Sequence, residues 1–354
     1  MDKDLKSIQE VRDLLKEAKA AQEIYSTFSQ DKIDEIVKEI SLEAQKHEVE
    51  LAKLANEETG FGRWEDKVLK NRLAAVGVYE TIKDQKTVGI LTECKEKGLM
   101  EIGVPMGIIA ALIPSTNPTS TTIYKIMIAL KAGNAVIVSP HPNAKGCIIK
   151  TAEYLIRAAE RKGAPKGLIG VIQTPTLQAT NELMKHKYTS LILATGGEAM
   201  VHAAYSSGTP AIGVGPGNGP SFIEKSADIK LAVKRIMDSK TFDNGVICAS
   251  EQSVVVENVI KEEVIEEFKR NGAYFLNKEE RDKVAKILMR ANNTMNPKIV
   301  GKTALYVAST AGITVPVTTK VLISIETEVS NQNPFSREKL CPVLFSDERM
   351  KEGL

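Results

Sequence analysis

Ile108-Ile109-Ala110-Ala111-Leu112-Ile113 is a continuous apolar run, where a strand with one wet face would alternate. A strand of this kind needs cover on both faces, and helices supply it in a parallel sheet. The theme continues from Gly107 to Gly215. Strands are expected at 107–114, 134–140, 167–174 and 190–195, with helices at 120–131, 145–162, 176–185 and 197–205. Such alternation predicts a doubly wound α/β domain.

One sheet does not use up the chain. At 354 residues it exceeds the size at which a single core keeps growing, so a second lobe is expected. Past Pro220 a new series starts: a helix at 228–239, a strand at 253–257, helices through Arg290, a strand at 320–325, and the apolar Cys341-Pro342-Val343-Leu344-Phe345. The expected domains are 1–220 and 221–354. Ahead of the first sheet, residues 8–18 and 30–83 carry apolar side chains at helical spacing, Ile33, Ile36, Val37 and Ile40 among them. They read as a packed helical layer. Runs at 86–92 and 98–102 flank the charged Lys95-Glu96-Lys97 and predict a hairpin arm near 86–102, suited either to oligomerisation or to a plain sheet edge.

Charge narrows the partners. Lys plus Arg is 47 against 45 Asp plus Glu, a net of +2, which leaves no footprint for nucleic acid or an anionic membrane. The four cysteines are far apart, without the C-x-x-C spacing of a metal site or the density of a disulfide scaffold. Together with the lack of any apolar run of membrane-spanning length, this points to a cytoplasmic protein with reduced thiols and no metal.

Parallel sheets bind ligands at the carboxyl ends of their strands. Here those ends read Pro114-Ser115-Thr116-Asn117-Pro118, Ser139-Pro140-His141-Pro142, Ala194-Thr195-Gly196-Gly197 and Gly213-Val214-Gly215-Pro216-Gly217-Asn218-Gly219-Pro220. Thr195-Gly196-Gly197 lies between strand and helix, where a phosphate can approach. Neither G-x-G-x-x-G nor a P-loop is present. Cys248 follows the turn-forming Asp243-Asn244-Gly245, and small or polar residues follow it near the junction of the two lobes. That suits a nucleophile at the mouth of a cleft, and equally a thiol that packs as a small hydrophobe.

Taken in order with Ala204-Tyr205-Ser206-Ser207-Gly208, with Thr241 through Gln252 and with Glu338-Lys339-Leu340-Cys341-Pro342-Val343, these motifs carry a resemblance from about residue 5 to the end of the chain. The chain resembles the CoA-acylating aldehyde dehydrogenases. The likeness is strongest to acetaldehyde dehydrogenases and to the aldehyde dehydrogenase half of bifunctional aldehyde-alcohol dehydrogenases. It implies an NAD-binding domain plus a second α/β catalytic domain, with NAD as cofactor and coenzyme A as co-substrate. It also implies that Cys248 attacks the aldehyde to form a thiohemiacetal and then a thioester. Thr116 or Asn117, with the Cys248 backbone N–H, would meet the oxyanion. Asn117 is favoured, although Asn is also a common helix cap. Pro114, Ser115, Thr195, Gly196, Gly197, Val214 and Gly215 would line the cofactor site, and Ser139, Pro140, His141 and Pro142 its adenosine end. Glu338 would hold the nicotinamide ribose, against the plain alternative of a surface glutamate.

Hydrolytic relatives place a glutamate base where this chain has Val214. Without a carboxylate there water lacks an activator, whereas a thiol ionises more readily, so transfer to coenzyme A is expected over release of a free acid. A non-acylating dehydrogenase and a catalytically incomplete scaffold subunit are the other readings. Ser139 in place of a lysine, and no acid at Pro142, leave NAD favoured over NADP only loosely. The resemblance extends to homo-oligomers and to association with bacterial microcompartments. Relatives continue beyond this chain's last residues, so the second domain is expected to be incomplete and the chain alone weakly active.

Overall fold

Val11, Leu15, Ala18 and Tyr25 recur on one face of the first helix and are fully buried, which is what turns an otherwise polar segment into a packed element. The computed structural model describes residues 2–347. The chain divides into two compact units, Met1–Thr59 with Lys67–Gly215 and Gly60–Asp66 with Pro216–Leu354.

The helical layer comprises α1 (Lys3–Tyr25), α2 (Gln30–Lys46), α3 (Glu48–Thr59), α4 (Trp64–Arg72) and α5 (Val78–Ile82), with a π-turn at Leu73–Gly77. Strands β1 (Gly89–Cys94) and β2 (Leu99–Gly103) form the antiparallel hairpin, with an irregularity between Ile90 and Thr92. The first strand begins three residues later than the apolar pattern suggests, the second one residue later.

The first unit's sheet is built from β3 (Ile108–Leu112), β4 (Ala135–Ser139), β5 (Ile169–Val171), β6 (Thr189–Thr195) and β7 (Ala211–Val214). Its order is β5-β4-β3-β6-β7, all parallel. Between these strands run α6 (Pro118–Lys131), α7 (Lys145–Arg161), α8 (Leu177–Lys185) and α9 (Glu198–Tyr205). Every residue of β3 and β4 is buried. The chain winds outward from β3 to β5 and then returns to lay β6 on the other side of β3. The split between β3 and β6 is therefore the switch point where such sheets open a crevice.

The second unit repeats the architecture with β8 (Gly219–Ile223), α10 (Ile229–Thr241), β9 (Glu251–Val256), α11 (Lys261–Arg270), β10 (Ala273–Phe275), α12 (Lys278–Leu288), α13 (Ala304–Thr310), β11 (Val321–Glu326) and β12 (Val343–Asp347). Its parallel order is β10-β11-β12-β9-β8. Strand β8 carries Gly219 and Pro220, residues that argue against a strand, and its edge position is what tolerates them. Helix α10 starts where Asp228 accepts from Leu231 N–H at 3.0 Å, and α12 where Asn277 and Glu280 form a capping box. Among the described residues no helix is long and apolar enough to cross a membrane.

Candidate active site

Helix α10 ends in a turn of unusual backbone. Asp243, Asn244 and Gly245 take φ of 50°, 51° and 77° in succession, all left-handed. Asp and Asn tolerate this region better than other side chains, yet each such residue still costs roughly 1–3 kcal/mol and needs support. Arg63 N–H donates to Asp243 Oδ1 at 2.7 Å, Asp243 N–H donates to Asp66 Oδ2 at 2.8 Å, and Asn244 Nδ2 donates to the Gly301 carbonyl at 3.0 Å. Gly62 is glycine because a Cβ there would overlap the Asp243 carboxylate. Gly245 presses on the Cys341 backbone, with a Cβ placed 2.9 Å from that carbonyl oxygen. From this braced turn the chain delivers Cys248, half-buried, while Cys147 and Cys341 are fully buried.

The segment leading into β8 touches the same loop. A Cβ on Gly217 would overlap the Cys248 carbonyl oxygen. Gly217 N–H donates to Glu338 Oε1 at 2.9 Å, and Asn218 Nδ2 donates to the Ser336 carbonyl at 2.9 Å. Burial raises the Glu338 pKa, and the Gly217 N–H, Lys240 and Lys339 oppose the rise. Within the second unit, then, the nucleophile candidate and the glutamate share Gly217 as a neighbour.

In the first unit, Pro114, Ser115, Thr116 and Asn117 form the loop after β3. Asn117 holds the cap position of α6, but its side chain makes no capping bond. Instead Lys70 Nζ donates to its Oδ1 at 2.8 Å, while its Nδ2 lies 3.5 Å from Thr116 Oγ1. With the oxygen engaged, the amide presents its N–H end as donor. Thr195, Gly196 and Gly197 end β6 across the switch point, and a Cβ on Gly197 would meet no atom within 4 Å. Val214 pairs with Thr195 in the sheet register and leads to Gly215, leaving no acid at this strand end.

The residues at the end of β4 and in the turn after it are less uniform. Ser139 is buried, its Oγ 3.2 Å from Thr180 Oγ1, so its hydroxyl is already engaged. His141 accepts at Nδ1 from Asn143 N–H at 3.1 Å, capping the turn at Pro142–Ala144. Burial lowers its pKa, favouring the neutral ring. Pro140 is buried and Pro142 exposed. Among the described residues no group of three or more His, Cys, Asp or Glu could hold a metal.

Sequence reasoning missed several supporting residues. Lys70, which orients Asn117, sits on a helix far away in sequence. Gly217 and Asn218 lay inside a glycine-rich stretch read only as a strand end. Lys125 is buried on α6 and donates to the Leu112 and Leu193 carbonyls, both at 2.8 Å, tying β3 to β6 where they part.

The aldehyde dehydrogenase family model matches residues 4–285. An aldehyde-alcohol dehydrogenase of Clostridium acetobutylicum is 47% identical over 96% of this chain, which spans 39% of that protein's length. The structure of an acetylating aldehyde dehydrogenase from Geobacillus thermoglucosidasius superposes with a TM-score of 0.95 at 55% identity, covering 98% of this chain and 76% of that one. A Rhodopseudomonas palustris propionaldehyde dehydrogenase, with bound CoA and an acylated cysteine, gives a TM-score of 0.83 at 30% identity, covering 95% and 76%. The chain belongs to the aldehyde dehydrogenases, oxidoreductases acting on aldehydes, and among them to the acylating family.

Proposed function

We propose that this chain oxidises a short-chain aldehyde, acetaldehyde foremost, with NAD and passes the acyl group to coenzyme A. The observation that carries this reading is the Cys248 loop: a half-buried thiol on a braced left-handed turn, against Gly217, beside the segment that bears Glu338. The Cys248 thiolate adds to the aldehyde carbon, and its oxygen takes up negative charge. We assign the Cys248 backbone N–H and the Asn117 amide as donors to that oxygen, with Thr116 beside the amide. A bound nicotinamide would supply the acceptor for the hydride that leaves this carbon. Cys248 then holds the acyl group as a thioester, and the CoA thiolate adds to it and expels the Cys248 thiolate.

Val214 supports acyl transfer over hydrolysis, since it cannot activate water. The acylated cysteine and CoA of the propionaldehyde enzyme support the same order of events. Other relatives are named for succinate semialdehyde and sulfoacetaldehyde, so acetaldehyde rests on the likeness to the acetylating enzymes. We assign Thr195, Gly196, Gly197, Pro114, Ser115, Val214 and Gly215 to the cofactor, Glu338 to its ribose, and the Ser139–Pro142 strand end to its adenosine. A cofactor domain and a catalytic domain belong to the same reading, as does a cytoplasmic homo-oligomer whose hairpin exposes Ile90, Leu99, Met100 and Ile102. The test is NADH formation from a panel of aldehydes with and without CoA. CoA-dependent NADH and acyl-CoA are expected, and rapid CoA-independent acid formation would overturn the reading.

A further inference from the structure

Two of the largest fully buried side chains in the molecule are lysines of the second unit, Lys240 and Lys339. Neither makes an ion pair among the described residues. Burying an ammonium without a touching carboxylate is costly, and an apolar side chain of similar length would fill the space more cheaply. What the ammonium groups bind is therefore informative. Lys240 Nζ donates to the Lys339 carbonyl at 2.9 Å and to Gln252 Oε1 at 3.3 Å. Gln252 Oε1 also accepts from Lys339 N–H at 2.8 Å. Lys339 Nζ turns back to the Phe335 and Arg337 carbonyls, at 2.6 and 2.7 Å. Both main-chain groups of the residue after Glu338 are thus held, and so is the backbone before it.

The two side chains that reach the Lys339 backbone come from opposite flanks of the nucleophile loop, Lys240 before Cys248 and Gln252 after it. Gly245 packs on the Cys341 backbone between them, and Gly217 meets both the Cys248 carbonyl and the Glu338 carboxylate. We infer that Lys240, Gln252 and Lys339 are positioning residues, a buried clamp that fixes the Glu338 segment to both flanks of the Cys248 loop and so sets the placement of the Glu338 carboxylate against the nucleophile. This rests on the reading of Glu338 as a ligand of the nicotinamide cofactor. A carboxylate that accepts two hydroxyl hydrogen bonds must be correctly aimed, and the clamp sets that aim.

The test measures NADH affinity by fluorescence titration of the full 354-residue chain, with steady-state kinetics alongside. Lys240→Met should weaken NADH binding about tenfold and raise the KM for NAD. Adding it to Glu338→Gln should cause no further loss, because the lysine acts through that carboxylate. Effects that multiply, or a Lys240→Met chain that binds like the parent while Glu338→Gln does not, would overturn the clamp and leave the cofactor reading standing. Normal NADH affinity in Glu338→Gln would overturn the cofactor reading and the clamp's role with it. Should Lys240→Met fail to fold, Gln252→Leu and Gln252→Glu decide. Only the glutamate keeps the acceptor for Lys339 N–H, so it should bind NADH like the parent while the leucine binds weakly, and equal behaviour of the two would refute the inference.

Discussion

A thiol reacts as its thiolate, so its surroundings decide whether it is a reagent or a packing group. Burial pushes Cys341 up to about 11, and burial with the Glu58 carboxylate pushes Cys147 higher still. Cys147 also donates from Sγ to the Ala144 carbonyl at 3.3 Å. Iodoacetamide at mildly alkaline pH should therefore modify Cys248 and spare Cys147 and Cys341, as read by peptide mass mapping; labelling of either buried thiol ahead of Cys248 would contradict this ordering. Cys248→Ala should abolish acyl-enzyme formation while NADH still binds. Gly217→Ala makes a finer test. Its methyl group would collide with the Cys248 carbonyl, which is backbone and cannot swing aside. Turnover should fall by about a hundredfold, the scale of a small misplacement at a reacting group, with far-UV circular dichroism unchanged. Cys248 stands out in the sequence because a turn and small residues flank it, a pattern that a packing thiol shares until the family resemblance is added, and its role as nucleophile belongs to the proposal. Gly217 does not stand out, because what it touches lies some thirty residues on, at the far end of α10 and its turn, and no local pattern records such a contact.

Elements whose burial is written into continuous runs were the most legible. Strands β3, β4 and β6 lie where the apolar segments place them, and Thr176 caps α8 by accepting from Ala179 N–H at 3.0 Å. Strand β10 and helix α13 escaped notice: one is three residues long and the other seven, too short for periodicity to register. A tie between elements is harder still to read, and Lys125 is the clearest case. Burial lowers its pKa from 10.5 to about 7. In that interval the unfolded chain binds the proton and the folded chain does not, so this group's contribution to stability grows as pH rises and is lost as pH falls through about 7. Replacing the lysine with methionine should remove that slope. Urea denaturation of parent and Lys125→Met at pH 7 and pH 10 should show their stability difference shifting by up to about 4 kcal/mol in the parent's favour. A constant difference would mean the ammonium is better solvated than its two carbonyl partners indicate.

At the scale of the whole molecule, the chain does not cross from one unit to the other once. Residues 60–66 leave the helical layer and belong to the second unit, then the chain returns to the first until Gly215. No composition shift marks this excursion, so a sequence boundary at 220/221 treats as two continuous pieces what the fold interleaves. The physical work of the excursion is local and specific. Arg63 N–H and the Asp66 carboxylate hold Asp243 in its left-handed conformation, Gly62 N–H donates to the Gly301 carbonyl at 3.0 Å, and Lys302 Nζ donates to the Gly60 carbonyl at 2.7 Å. Removing these partners exposes a buried carboxylate to loss of its hydrogen bonds and returns the backbone cost of the turn. A fragment comprising residues 216–354 should accordingly lose the turn that backs Gly245 against Cys341, although β9, β11 and β12 keep their own core. The measurable consequence is thiol protection. Cys341 should resist iodoacetamide in the intact chain and become reactive in the fragment, and Asp243→Ala in the intact chain should move Cys341 in the same direction by a smaller factor. Equal protection in fragment and parent would mean that residues 216–354 hold the Cys248 loop without help from residues 60–66.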